Sequence, residues 1–299
     1  MQTKILNYGL NITPHKANYQ AKVSSPDFAM PALRKDAFSK NVNFTALGTA
    51  TMPIEFLQRG AITRELVHRL HLEEPEKLEI LSNEARKLIS GDKFVILPQY
   101  LDRTLDDMLN FTKTLKNNLD DKYGSGEYVV ISIGRSPALT SEMLKAMGVE
   151  TKICPMSGLA GTNLLLDTIK PDKKARYFEY FESIGLGLDT IKSSNKKYIF
   201  TDYCKNGGTL RSFQALLEEK GYDLPGKVIF SSLQDLAPSV GNDFFRKYFD
   251  SPLNASLSPV CKLYVWDMDK VQETVANHPV NPYHNAWMVL FLQKMLEIV

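Results

Sequence analysis

Asp202, Lys205, Asn206, Gly207, Gly208 and Thr209 follow directly on the apolar run Tyr198-Ile-Phe-Thr201. A run of that kind reads as a buried strand, and the glycines after it as a loop opening a helix at Thr209. Neither glycine carries a Cβ, so the backbone can approach a ligand closely and turn to positive φ. Successive N–H groups at such a turn form a concavity for an anion, reinforced by the positive end of the helix dipole. Asp202 supplies a carboxylate able to accept from two sugar hydroxyls. Lys205 adds positive charge, and Thr209 a hydroxyl that donates or caps the helix. The combination is suited to a sugar and a phosphate held side by side. The same residues also satisfy a plainer reading, a tight strand-to-helix turn, and both readings stay open on these residues alone.

A second loop has a similar setting. Gly134-Arg-Ser-Pro137 follows the β-branched run Tyr128–Ile133. Arg135 can grip an anion with two parallel donors and Ser136 can donate. The alternative is an N-cap at Ser136 with Pro137 in the first helical position.

The elements that must position these loops alternate strand and helix. Strands are expected at 128–133, 150–155, 198–201, 226–231 and 261–266, with helices at 138–147, 209–220 and 282–299. Such alternation implies a parallel sheet with helices on both faces, whose ligands sit beyond the carboxyl ends of the strands. Both loops lie at such ends. The connection 156–194 is long for an ordinary crossover, and long inserts are often lids or binding loops. Its cations Lys173, Lys174 and Arg176 can reach a diphosphate, but read more simply as a solvated face. Ser157-Gly-Leu-Ala-Gly161 is a further candidate backbone site.

Upstream, Leu66, Leu70, Leu78, Leu81 and Leu88 mark amphipathic helices broken near Pro75, so 53–91 is expected to be a helical N-terminal region. Phe94–Leu97 reads as a short strand, and the leucines from Leu101 to Leu119 as another helix. Residues 1–52 scatter aromatics among Asn, Ser, Pro and Lys with no sustained period, which suggests an extended or partly disordered arm suited to draping or to homo-oligomer contact. The expected division is therefore 1–52, 53–91, and an α/β domain over 92–299 ending in a helix.

The segment 198–209 resembles the phosphoribosyl-diphosphate-binding motif of type I phosphoribosyltransferases: an apolar strand, two adjacent acids, a short spacer, then Thr-Gly-Gly-Thr. Asp202 matches the second acid, and Gly207, Gly208 and Thr209 match the loop. Thr201 stands where the first acid belongs, and Asn206 replaces the first threonine. The resemblance covers roughly residues 128–232. It implies a phosphoribosyltransferase-like fold in which Asp202 is catalytic and holds ribose, Gly207 to Thr209 hold the 5-phosphate, and Arg135 and Ser136 belong to the pyrophosphate loop. It implies Mg²⁺ as cofactor and transfer of the phosphoribosyl group to an acceptor with release of pyrophosphate. Thr201 and Asn206 equally suit a regulatory protein that binds a nucleotide or sugar phosphate on this fold without turnover.

Other patterns fit less well. Cys204 and Arg211 are separated by one residue too many for a phosphatase loop. Trp266-Asp-Met-Asp269 lies too near the end for a dehalogenase-like phosphatase. His68 and His71 share a helix face without further ligands nearby, and His278 and His284 read as loop residues. The net charge of +2 over 299 residues offers no case for nucleic-acid binding. Cys154, Cys204 and Cys261 are odd in number and widely spaced, which suits a reducing compartment rather than a disulfide framework. With no long apolar run and a polar start at Met-Gln-Thr-Lys, the expectation is a cytoplasmic protein away from membranes.

Overall fold

The computed structural model describes residues 56–58, 62–91, 98–157, 167–249, 258–261, 263 and 265–297. The arm at 1–52, the strand expected at 94–97 and the glycines at 158 and 161 lie outside them. The architecture is α/β. Three helices come first, α1 (Arg64–Glu73), α2 (Pro75–Gly91) and α3 (Pro98–Tyr123). Thr63 caps α1 by accepting from the Leu66 N–H at 3.2 Å. Pro75 opens α2, as its lack of an N–H allows.

Four parallel strands follow: β1 (Tyr128–Ile133), β2 (Thr151–Cys154), β3 (Lys197–Asp202) and β4 (Val228–Ser232), in the order β2-β1-β3-β4. All six residues of β1 are buried, which explains its unbroken apolar sequence, since a strand covered on both faces has no solvent side to alternate towards. Tyr128, Val130 and Ile199 enter one core with α1, α2, α3, α4 (Ala138–Ala146) and α11 (Pro282–Leu296). Val129, Ile131, Ile133 and Phe200 enter a second core with α5 (Pro171–Phe181) and α7 (Gly208–Glu219). The first-core helices include α1 and α2, so the N-terminal helical region and the sheet share apolar packing. The helix α11 is buried from His284 to Leu292. Asn281 caps it by accepting from the Tyr283 N–H at 3.0 Å.

The connection after β2 is a core layer in its described part. Tyr177, Phe178, Tyr180 and Phe181 of α5 are buried, and the Phe181 ring stacks on Phe200 of β3 at 6.1 Å. The cations on its outer side are paired: Lys174 Nζ lies 2.7 Å from Glu219 and Lys173 Nζ 3.5 Å from Asp269. A short α6 (Leu188–Ser193) completes the crossover.

One strand expectation fails. Instead of a strand over 261–266, Val265–Lys270 forms a 3₁₀ turn, and Cys261, Leu263 and Met268 bury themselves in the second core. A short apolar run does not distinguish strand pairing from packing against a helix. Here α5 supplies the surface, with Arg176 Nη1 donating to the Asp269 carbonyl at 2.6 Å. Three short helices complete the order: α8 (Leu233–Leu236), α9 (Asn242–Phe249) and α10 (Val271–Ala276). Among the described residues no helix is long and apolar enough to cross a membrane.

Candidate functional site

The strand order reverses between β1 and β3: β1 leads to β2 on one side, and β3 to β4 on the other. Loops at such a switch point splay apart and leave a crevice beyond the carboxyl ends. The two sequence-derived loops, 134–137 and 203–207, flank that point. Ser132 of β1 is in register with Thr201 of β3, and Asp202 with Ser232 of β4.

Asp202 ends β3 with only 8% of its surface exposed. Burial pushes its carboxyl up to about 8, against a smaller opposing effect from the Tyr203 N–H that donates to it. At neutral pH it is therefore mostly protonated and both donates and accepts. Such a perturbed acid at a strand end is a recognised mark of a functional position. Thr201 faces the other side of the sheet, 1% exposed, and its hydroxyl is buried without a hydrogen-bond partner. Ser132, beside it in register, shares a hydrogen bond with Ser141 of α4 and donates to the Pro137 carbonyl at 3.1 Å.

Beyond Asp202 the chain is held by a residue with no sequence signal. Gln234 of α8 accepts from the Cys204 N–H at 3.2 Å and donates to the Cys204 carbonyl at 2.7 Å. This two-point clamp fixes the strand exit. The Cys204 thiol is pushed up to about 12, first by burial and then by the nearby carboxylates of Asp202 and Asp235. Such a thiol is a poor nucleophile.

Gly207 takes φ +72° as the residue before α7, and Gly208 is the first helical residue. Thr209 therefore lies within the first turn and is not the cap. The cap position is Gly207, which has no side chain to cap with; one residue earlier, Asn206 Oδ1 accepts from the Gly208 N–H at 3.1 Å. Arg211 curls back from the helix and donates to the Asn206 carbonyl at 3.0 Å. Sequence spacing had set Arg211 aside with the phosphatase loop, yet its guanidinium lies over the turn. Lys205 is exposed at the loop's edge.

The alternative reading of 134–137, a cap at Ser136, does not describe the start of α4. Pro137 occupies the position before α4 and makes no side-chain cap, while the Ala138 N–H donates to the Arg135 carbonyl at 3.2 Å. Ser136 is half-buried in this turn. Arg135 is half-buried at the exit of β1. The structure thus places Asp202, Lys205 and Asn206 to Thr209 on one loop, and Arg135 and Ser136 on the loop at the neighbouring strand's end.

The positive-φ glycines of these two loops, Gly134 and Gly207, differ in what surrounds them. A Cβ on Gly134 would meet the Met156 carbonyl oxygen at 2.7 Å, and on Gly207 the Arg211 Nη1 at 2.8 Å. Backbone cannot swing away, whereas an arginine end can. Gly134→Ala is expected to cost roughly 3 kcal/mol and Gly207→Ala roughly 1 kcal/mol. Urea denaturation of the two variants checks this ordering. Equal losses would show that positive φ, not the contact, sets the cost.

Among the described residues no group of three His, Cys, Asp or Glu side chains could hold a metal. The residues present suit Mg²⁺ only in its usual manner with phosphate ligands, where one or two protein carboxylates join the ligand's own oxygens. Comparison with protein-family models, curated proteins and solved structures gives no match.

Proposed function

We propose that this chain binds phosphoribosyl diphosphate or a related ribose phosphate at the β1/β3 switch point, on a phosphoribosyltransferase-like α/β domain. The observation that carries the reading is Asp202: a carboxyl 8% exposed, at the end of a central strand, with four residues between it and the turn Gly207-Gly208 that opens a twelve-residue helix. Asp202 would hold the ribose hydroxyls. The first-turn N–H groups of α7, with Thr209 and Lys205, would hold the 5-phosphate. Arg135 and Ser136 would meet the diphosphate from the adjacent strand end. Mg²⁺, carried in on the diphosphate, would neutralise charge there and leave Asp202 ionised.

Transfer of the phosphoribosyl group would follow if an acceptor reaches the anomeric carbon as pyrophosphate leaves. Binding without turnover, as in a regulatory protein, is the second reading. It is favoured by Thr201, which puts a buried, unpartnered hydroxyl where a second carboxylate would otherwise assist.

Calorimetry and thermal unfolding with phosphoribosyl diphosphate plus Mg²⁺, and with ribose 5-phosphate, test the binding. A ligand at a hundred times its Kd stabilises by about 2.7 kcal/mol, or roughly 5 °C for a domain of this size. No heat and no shift at saturating concentrations of either ligand would overturn the reading. Pyrophosphate release in the presence of candidate bases separates transferase from regulator.

A further inference from the structure

β4 ends at Ser232, in register with Asp202 of β3. Beyond that pair β4 offers β3 no further partner, yet the chain must still carry the loop to Gly207. Cys204, two residues on, meets the Gln234 side chain instead. Its N–H donates to Gln234 Oε1 at 3.2 Å, and its carbonyl accepts from Gln234 Nε2 at 2.7 Å. A side-chain amide carries a donor and an acceptor side by side, as a peptide group does. Gln234 therefore stands in for the strand residue that β4 does not supply. It is itself held from below. Ser232 caps α8, whose Leu233 and Leu236 are buried, and Asn118 Nδ2 of α3 donates to the Leu236 carbonyl at 3.0 Å.

The hydrogen bonds of the loop divide by kind. Its acceptors at Cys204, Asn206 and Gly207 are taken. Gln234 bonds the Cys204 carbonyl, the Arg211 guanidinium the Asn206 carbonyl, the Gly208 N–H the Asn206 Oδ1, and the Arg211 N–H the Gly207 carbonyl at 3.0 Å. The N–H groups of Asn206, Gly207, Thr209 and Leu210 have no partner among the described residues. A turn whose acceptors are used internally and whose donors are left over offers an anion only N–H groups.

We propose that Gln234 is the positioning residue of the ribose-phosphate cradle. By pairing with both backbone groups of Cys204 it keeps residues 204–207 in the conformation whose free N–H groups meet the 5-phosphate. This role rests on the ribose-phosphate reading given above, and adds to it a residue that does not touch the ligand. A loop set in advance has little conformational freedom left to lose, so its hydrogen bonds to phosphate are not offset by the entropy of ordering it. With the clamp removed, that ordering falls at the moment of binding.

Amide hydrogen exchange and calorimetry with ribose 5-phosphate, on the whole chain well below its unfolding temperature, test the assignment. In the wild type the Cys204 N–H is expected to be protected from exchange. Gln234→Met keeps the length and removes both bonds. It is expected to speed exchange at Cys204 and to weaken ribose 5-phosphate binding, each about tenfold, while Ile199 and Phe200 in β3 exchange as before. Gln234→Glu keeps the acceptor for the Cys204 N–H but sets a carboxylate oxygen against the Cys204 carbonyl. Its affinity deficit relative to wild type is expected to shrink in acid, where the new carboxyl takes up a proton and donates again. Asp202 is common to both proteins and cancels from that ratio. An unprotected Cys204 N–H in the wild type overturns the assignment without any variant. Faster exchange at Cys204 with affinity within about twofold of wild type also overturns it, and leaves the cradle standing. Exchange accelerated alike at Cys204, Ile199 and Phe200, or a Gln234→Glu deficit indifferent to pH, makes Gln234 a residue of the fold only. No binding of ribose 5-phosphate by the wild type fails the cradle itself, and the role of Gln234 with it.

Discussion

Replacing Asp202 by asparagine is expected to stabilise the free protein at neutral pH while removing the affinity for ribose phosphates proposed above. The carboxyl is raised from 3.8 to about 8, chiefly by burial. Below about pH 4 it is protonated in both folded and unfolded chains and contributes no difference. Between there and pH 8 the unfolded chain releases a proton that the folded one keeps, so folding stability falls as pH rises. Above pH 8 both are ionised and the loss is complete. The fall amounts to roughly 4 kcal/mol between pH 4 and pH 7. Asparagine has the shape of the protonated acid and does not titrate, so the variant escapes it. The difference in denaturation free energy between variant and wild type is expected to be near zero at pH 4, to grow steadily to pH 8 and then to level. Only Asp202 contributes to that difference, since the other titrating groups are common to both proteins. A difference independent of pH would mean that burial does not perturb this carboxyl. A ligand that favours the ionised form displaces the proton, so its affinity is expected to rise with pH up to about 8. An acid kept at a stability cost of this size is the pattern of a group retained for its chemistry.

The sheet was largely legible because its strands are buried on both faces. Tyr128–Ile133 begins and ends where its apolar run does, and Lys197–Asp202 differs from expectation by one residue at each end. The loops at the strand ends were legible for the same reason: a strand in a parallel sheet has a known direction, so its exit is known too. Side chains that reach the site from afar were not. Gln234 clamps Cys204 across thirty residues of sequence. The pair Ser232 and Asp235 that caps its helix, with the Asp235 N–H donating to Ser232 at 3.0 Å, is readable as a helix start but not as a pointer to Cys204. Arg211 is one turn from Gly207 and was within reach of a different question, namely which side chain a helix's first turn sends back over its own N-terminus. The failed strand at 261–266 has the same origin. Cys261 and Leu263 are buried, but α5 was there to bury them without a sheet edge.

Thr201 carries the second large effect, and its two substitutions are expected to move in opposite directions. Its side chain lies between Ser132 and Ser231 in register, on the face opposite Asp202. It is 1% exposed, and its hydroxyl has no partner. Thr201→Val keeps the shape and removes the orphaned donor, so it is expected to stabilise by roughly 1 kcal/mol. Thr201→Asp restores the acid that the phosphoribosyltransferase motif would place here, yet introduces a carboxylate at a position 1% exposed, with no cation paired to it among the described residues. It is expected to destabilise by roughly 3 kcal/mol or more at neutral pH, with the loss shrinking in acid as the new carboxyl takes up a proton. Denaturation at pH 5 and pH 8 measures both. If Thr201→Asp is instead tolerated within about 1 kcal/mol and gains Mg²⁺-dependent pyrophosphate release, position 201 opens onto the ligand and the chain is a transferase that has lost one acid. If the expected loss is found, Thr201 belongs to the packing of the sheet's first core, and the site must work with Asp202 as its single carboxylate. A single acid of raised proton affinity can anchor ribose hydroxyls and one edge of a phosphate-borne Mg²⁺, but it offers the metal a single protein carboxylate. Under the proposed reading, affinity would then be set more by the loop's N–H groups and Arg135 than by the metal.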